Sequence, residues 1–143
     1  SLPADLWAAV QWLVLNEIEA EQLAGRAIAS VDDAVAVAQA LQHPDQHVVV
    51  TLGRAGAVLV GGGEVVHAPA PQVAVVDTTA AGDAFVGVLA AGLQRGLSPT
   101  QAVRQAVVAG SLACTKAGAI PSLPTADEVR REMGNGSAHR DGV

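Results

Sequence analysis

The chain has 143 residues, 50% hydrophobic and 15% charged, which is enough for one packed domain, short for two, and far from a disordered composition. Its formal net charge of −6, with Trp7, Trp12 and Phe85 as the only Trp, Phe or Tyr residues, excludes a basic or base-stacking surface for nucleic acid and a cationic face for anionic membranes. The lone Cys114 excludes an internal disulfide, no apolar run reaches the ~18 residues of a membrane span, and the opening residues lack a signal-peptide pattern, so a soluble cytoplasmic chain is expected.

In chain order, the apolar run 10–15 suits a buried strand. Asn16 is placed to cap a helix over 17–24, which Gly25 stops. Ser30 opens a second helix, with Ser-x-x-Asp to Asp33 resembling a capping box and an apolar face through Ala34, Ala38 and Leu41, before Pro44 breaks it. Residues 47–52, rich in Val, form the next strand. The pattern 57–60, Gly61-Gly62-Gly63, 64–67 predicts a hairpin. Residues 73–76 predict a further strand running into 77–83, and the helix that follows, through Leu93, is apolar nearly all round and is expected to be buried. Gly96 follows it as a C′ residue. An amphipathic helix over 98–115 sets Ala102, Ala106, Ala109 and Ala113 opposite Gln101, Arg104 and Gln105, and a last helix is expected over 126–133, with 134–143 as a flexible tail. Strands alternating with helices predict an α/β fold with a mostly parallel sheet covered on both faces, and no repeat or linker divides the chain.

Chemistry concentrates in 75–93, where a strand meets a helix start. Unpaired N–H groups at such a start bind anions, and Ala80, Ala81 and Gly82 offer almost no side chain to hold an anion away. Asp83 would sit where a base could take a proton from a nucleophile attacking that anion. The plainer reading of the same residue is helix capping and dipole chemistry. Neither of the familiar Gly-rich phosphate loops is present.

The segment Asp77-Thr78-Thr79-Ala80-Ala81-Gly82-Asp83-Ala84-Phe85-x-Gly87 resembles the second signature of the PfkB carbohydrate-kinase family, in the Ala-Ala-Gly-Asp form of its ribokinases. Residues 16–21, Thr51-Leu52-Gly53-x-x-Gly56 and Gly118-Ala119-x-Pro121-Ser122 follow the family's order, so the resemblance runs to about residue 133. It implies the C-terminal half of a ribokinase-like fold, incomplete because the N-terminal half and its lid are missing. It also implies ATP-dependent phosphorylation of a sugar primary hydroxyl, D-ribose first, with fructokinase, 2-keto-3-deoxygluconate kinase and nucleoside kinase activities as alternatives.

In such kinases the residue matching Asp83 is the catalytic base, and the amides of Ala80, Ala81, Gly82 and Asp83 form an anion hole. Asn16, Thr51, Leu52, Gly53, Gly56, Gly82 and Val107 match positions around ATP. Glu19 matches a contact to hydrated Mg²⁺, and a capping box with Asn16 explains it equally. Asp77, Thr79, Ala113, Lys116, Gly118 and Ser122 match a K⁺ site built mostly of carbonyls. The implied partners are ATP and a small sugar, with an open sheet edge offering a route to a homo-oligomer. A nucleotide-binding module without transfer, or an assembly domain, are the competing classes. His139-Arg140-Asp141 mimics a protein-kinase triplet but lacks its Asn, and Pro44 separates His43 from His47, so neither is read as a site.

Overall fold

The computed structural model describes residues 11–115 and Val129. The chain divides into two compact units, Ser1–Ala68 and Pro69–Val143, where the sequence suggested no division.

The first unit is a sheet with two helices. Its strands are β1 (Trp12–Asn16), β2 (His47–Thr51), β3 (Ala57–Gly61) and β4 (Glu64–Ala68), in the order β1-β2-β3-β4. Helices α1 (Glu17–Ala24) and α2 (Val31–Leu41) connect β1 to β2, which pair in parallel. The other two pairings are antiparallel, so the described sheet is mixed rather than mostly parallel. The reason is local. A turn at 52–56 sends β3 straight back along β2, and Gly62 and Gly63, at φ 60° and 78°, make the two-residue turn that closes the β3–β4 hairpin.

Leu13, Leu15, Val48, Val50, Val58 and Val60 point to the face that packs Ala20 of α1 and Ala34, Val37 and Ala38 of α2. Val49 and Leu59, on the alternate face, are buried as well. Trp12 stacks on His47, its register partner, with ring centroids 4.5 Å apart. The Ser30 cap forms, accepting from Asp33 N at 3.1 Å. Asp33 returns its carboxylate to the Ala29 amide, one residue before the cap, so the reciprocal half of a capping box is missing.

The second unit contains α3 (Ala81–Gln94) and α4 (Pro99–Ala113). Gly96 donates to Leu93 O and Leu97 to Gly92 O, the paired bonds that end a helix on a left-handed glycine. Ser98 and Gln101 then cap α4 reciprocally, with Pro99 at its first position. The two helices approach closely because small residues meet. A Cβ on Gly92 would lie 3.2 Å from Leu97 Cδ1, and one on Gly110 would lie 3.3 Å from Ala81 O. Ala80, Ala84, Val108, Ala109, Ala113 and Val129 fill the contact.

Two sequence expectations fail in this unit. Residues 73–76 form no strand. Pro69 and Pro71 have no N–H to give a ladder. Val76 and Asp77 both give theirs to Cys114 O, and Val75 and Val76 stay exposed. The helix expected to be buried buries only Ala84, Phe85, Leu89 and Gly92, while Val86 is 50% exposed. Among the described residues its covered stripe is the one that packs with α4 and Val129. The expected 126–133 helix, apart from helical, buried Val129, and the 134–143 tail lie outside the described residues.

Candidate functional site

In the first unit the site residues gather where the parallel strands end. β1 and β2 are in register to their last residues, Asn16 opposite Thr51, and the carboxyl ends of parallel strands are where α/β sheets bind ligands. Asn16 Oδ1 accepts from Glu19 N at 2.8 Å, and Glu19 Oε1 accepts from Asn16 N at 3.0 Å. This reciprocal box locks α1 onto β1 and holds the exposed Glu19 carboxylate at the strand end, with Oε2 outside the box.

Across the strand pair, Thr51 Oγ1 donates to Leu15 O at 3.4 Å. A one-turn 3₁₀ segment, Gly53–Ala55, follows. Leu52 N donates to Gly56 O at 2.8 Å and Ala55 N to Leu52 O at 3.1 Å, closing the turn. Gly53 at φ 57° and Gly56 at φ 92° adopt backbone that other residues resist. Of the sequence-predicted positions here, Leu52 differs in kind. Its side chain is in the core, 7% exposed, and its N–H and C=O close the turn that presents the exposed Gly53.

In the second unit the start of α3 carries a separate group of the predicted site residues. Ala80 is the N-cap and offers no side-chain cap. Thr78 O takes Ala81 N and Ala80 O takes Ala84 N. The amides of Gly82 and Asp83 have no acceptor among the described residues. Asp83, third in the helix and exposed, makes no hydrogen bond or ion pair among the described residues. It does not reach back to cap, although as an acid in the first turn it still suits the helix dipole.

Gly82 has no packing reason to be glycine, since a Cβ there meets nothing within 4 Å among the described residues. That contrasts with Gly92 in the same helix, whose Cβ would press on Leu97 and Ala102. A helix start without a side-chain cap, and with amides lacking acceptors among the described residues, is a place where an anion can sit.

The predicted cation positions partly converge. Asp77 takes two hydrogen bonds from Thr79 on its Oδ1, from the amide at 2.8 Å and from the hydroxyl. Cys114 O accepts from Val76 N at 2.7 Å and Asp77 N at 3.1 Å, which sets this loop beside the end of α4 and buried Ala113. Burial and then the nearby Asp77 carboxylate push the Cys114 thiol up from its ordinary pKa. Val107 is buried on α4. Lys116, Gly118 and Ser122 lie outside the described residues. Among the described residues no three His, Cys, Asp or Glu side chains gather as a metal site, and no helix is long and apolar enough to cross a membrane.

Sequence reasoning missed one residue next to this site. His67 on β4 bonds through Nε2 to Ala55 O at 2.6 Å. The partners are 12 residues apart, and no local pattern announces the contact.

The family model for pfkB carbohydrate kinases matches residues 2–126. The chain belongs to the pfkB family of carbohydrate kinases. It is 34% identical over 124 residues to a ribokinase of Lactococcus lactis, covering 87% of this chain and 39% of that protein. Among solved structures, the ribokinase of Arabidopsis thaliana complexed with ribose and ATP matches at a TM-score of 0.79 and 34% identity, over 90% of this chain and 42% of that one. The phosphofructokinase-2 of Escherichia coli in complex with potassium matches at 0.76 and 29%, over 85% and 40%. The ribokinase-like fold is thus shared, and this pfkB chain spans about two fifths of the length of these relatives.

Proposed function

We propose that this chain supplies the ATP site, the anion hole and the catalytic base of an ATP-dependent kinase acting on a sugar primary hydroxyl, with D-ribose as the first substrate to try. The observation that carries the reading is the start of α3, where among the described residues the Gly82 and Asp83 amides have no acceptor, a Cβ on Gly82 would meet nothing within 4 Å, and the Asp83 carboxylate has no partner. As the sugar oxygen attacks the γ-phosphorus of ATP, its proton passes to Asp83. The bond from phosphorus to the bridging oxygen breaks, and ADP departs. The Gly82 and Asp83 amides donate to the phosphoryl oxygens as charge builds on them, and the fixed dipole of α3 adds to that field.

The family implies Mg²⁺ and K⁺, and the residues present suit both. Mg²⁺ keeps several waters and needs few protein ligands, which matches a single exposed carboxylate, Glu19, held at a strand end with one oxygen outside the capping box. When bound, it would neutralise nucleotide phosphate charge. K⁺ suits carbonyl oxygens, and Asp77, Thr79 and Ala113 are brought near one another, with Lys116, Gly118 and Ser122 as the remaining predicted contributors. There it would place positive charge beside the anion hole. D-ribose is tried first because the ribokinase of Arabidopsis thaliana is complexed with ribose, and fructose follows because a fructokinase of Klebsiella pneumoniae is 42% identical over 93 residues.

The test is Asp83→Asn in the longer kinase context. Turnover should fall by about 10²–10⁴-fold with nucleotide affinity nearly intact, and K⁺ should raise the parent's rate above that in Na⁺. Near-normal turnover in the variant would remove Asp83 as the base.

A further inference from the structure

We propose that His67 is a positioning residue for the nucleotide turn at 53–56, acting through the Ala55 carbonyl. This inference rests on the reading that the turn lies against ATP. His67 sits on β4 opposite Val58 of β3, so its imidazole reaches across the sheet end to a turn 12 residues away in sequence. Its Nε2 donates to Ala55 O at 2.6 Å, a separation at the short end for an N–H to a carbonyl. The same peptide unit is held from its other side, because Gly56 N donates to Gly53 O at 3.0 Å. Both ends of the Ala55–Gly56 peptide are therefore fixed.

The turn needs such a hold. It contains two glycines with positive φ, a Cβ on Gly53 would touch nothing within 4 Å, and Gly53, Arg54 and Ala55 are exposed. Leu52 and Gly56 anchor the two ends of the turn in buried positions, its middle is exposed, and glycine backbone has the most freedom to lose on ordering. A ligand binding to it would meet that ordering cost unless a side chain had met it already. His67 is itself exposed, so core packing does not call for an imidazole at this strand position. A donor of the right reach does.

The test compares the 143-residue chain with its His67→Phe and His67→Gln variants. Affinity for a non-hydrolysable ATP analogue with Mg²⁺ is measured by calorimetry, and exchange of the Ala55 and Gly56 amides is followed without nucleotide. Phe keeps a ring and loses the donor, while Gln keeps a donor. The expected result is affinity weakened about five- to tenfold in His67→Phe, the worth of one hydrogen bond, and restored to within about twofold in His67→Gln. Amide exchange at the turn should speed up only in His67→Phe. Equal affinity of wild type and His67→Phe would overturn the proposal while leaving the nucleotide site intact. Equal weakening in both variants would overturn it too, since the donor would not be what matters. If the wild type binds no nucleotide, the reading of the site fails and takes this inference with it, whatever the exchange rates show.

Discussion

Replacing Gly82 with alanine separates what the fold needs from what a ligand needs. Gly82 is second in α3, exposed, and free of any contact that a Cβ would make among the described residues. Glycine in a helix costs roughly 0.5–1 kcal/mol relative to alanine, so Gly82→Ala should stabilise the chain. With an unfolding entropy of about 2.1 cal/mol/K per residue over 143 residues, that gain raises the melting temperature by about 2–3 °C. On the proposed reading, a phosphate seats closely against the Gly82 and Asp83 amides, which have no acceptor among the described residues, so the added methyl should crowd it and affinity for an ATP analogue should fall by about tenfold, the ~1–3 kcal/mol of an overfilled contact. Thermal unfolding and calorimetric titration in Mg²⁺ and K⁺ read the two effects. Gly92→Ala is the internal control. Its Cβ would lie 3.2 Å from Leu97 Cδ1 and 3.4 Å from Ala102 Cβ, so the same substitution ten residues on should lower the melting temperature. A destabilised Gly82→Ala, or one that binds as tightly as wild type, would refute the reasoning.

Two further outcomes can be checked with single substitutions. Glu19→Gln keeps the capping box, which a glutamine completes as well as a glutamate, so stability should stay within about 0.5 kcal/mol while the Mg²⁺-dependent part of ATP affinity is lost. Titrations with and without Mg²⁺ decide it, and an undiminished Mg²⁺ effect would leave Glu19 as a cap alone. The raised Cys114 pKa has burial as its first cause and Asp77 as its second. Both disfavour the thiolate, so the midpoint of alkylation rate against pH should lie on the alkaline side of a free cysteine's. Asp77→Asn should move that midpoint down, and an unmoved midpoint would exclude the carboxylate as a cause.

What could be read from the residues alone was local chemistry. Asn16 with Glu19 and Ser98 before Pro99 announce helix starts because a cap is made within four residues. Gly96 announces a helix end and the glycines at 61–63 a hairpin for the same reason, and alternating or continuous apolar runs place β1 to β4. The signature around Asp83 is equally contiguous, so the family was legible before any coordinates, and the candidate site residues were named from the same run.

Tertiary structure decided the rest, because it turns on partners distant in sequence. The valines at 73–76 look like a strand, but whether they form one depends on what accepts the Val76 and Asp77 amides, and that is Cys114 O at the end of α4. The nearly all-apolar helix α3 was expected to be buried, yet burial is set by packing partners, and among the described residues only one stripe of it is covered. Gly82 and Gly92 are the same residue in the same helix. Only the position of Leu97 and Ala102 makes one a packing device, while the other meets nothing among the described residues. The bond from His67 to Ala55 spans a strand that neither residue belongs to. Local hydrogen bonds are encoded by neighbours in sequence, whereas space, exposure and long-range bonds exist only once the chain has folded.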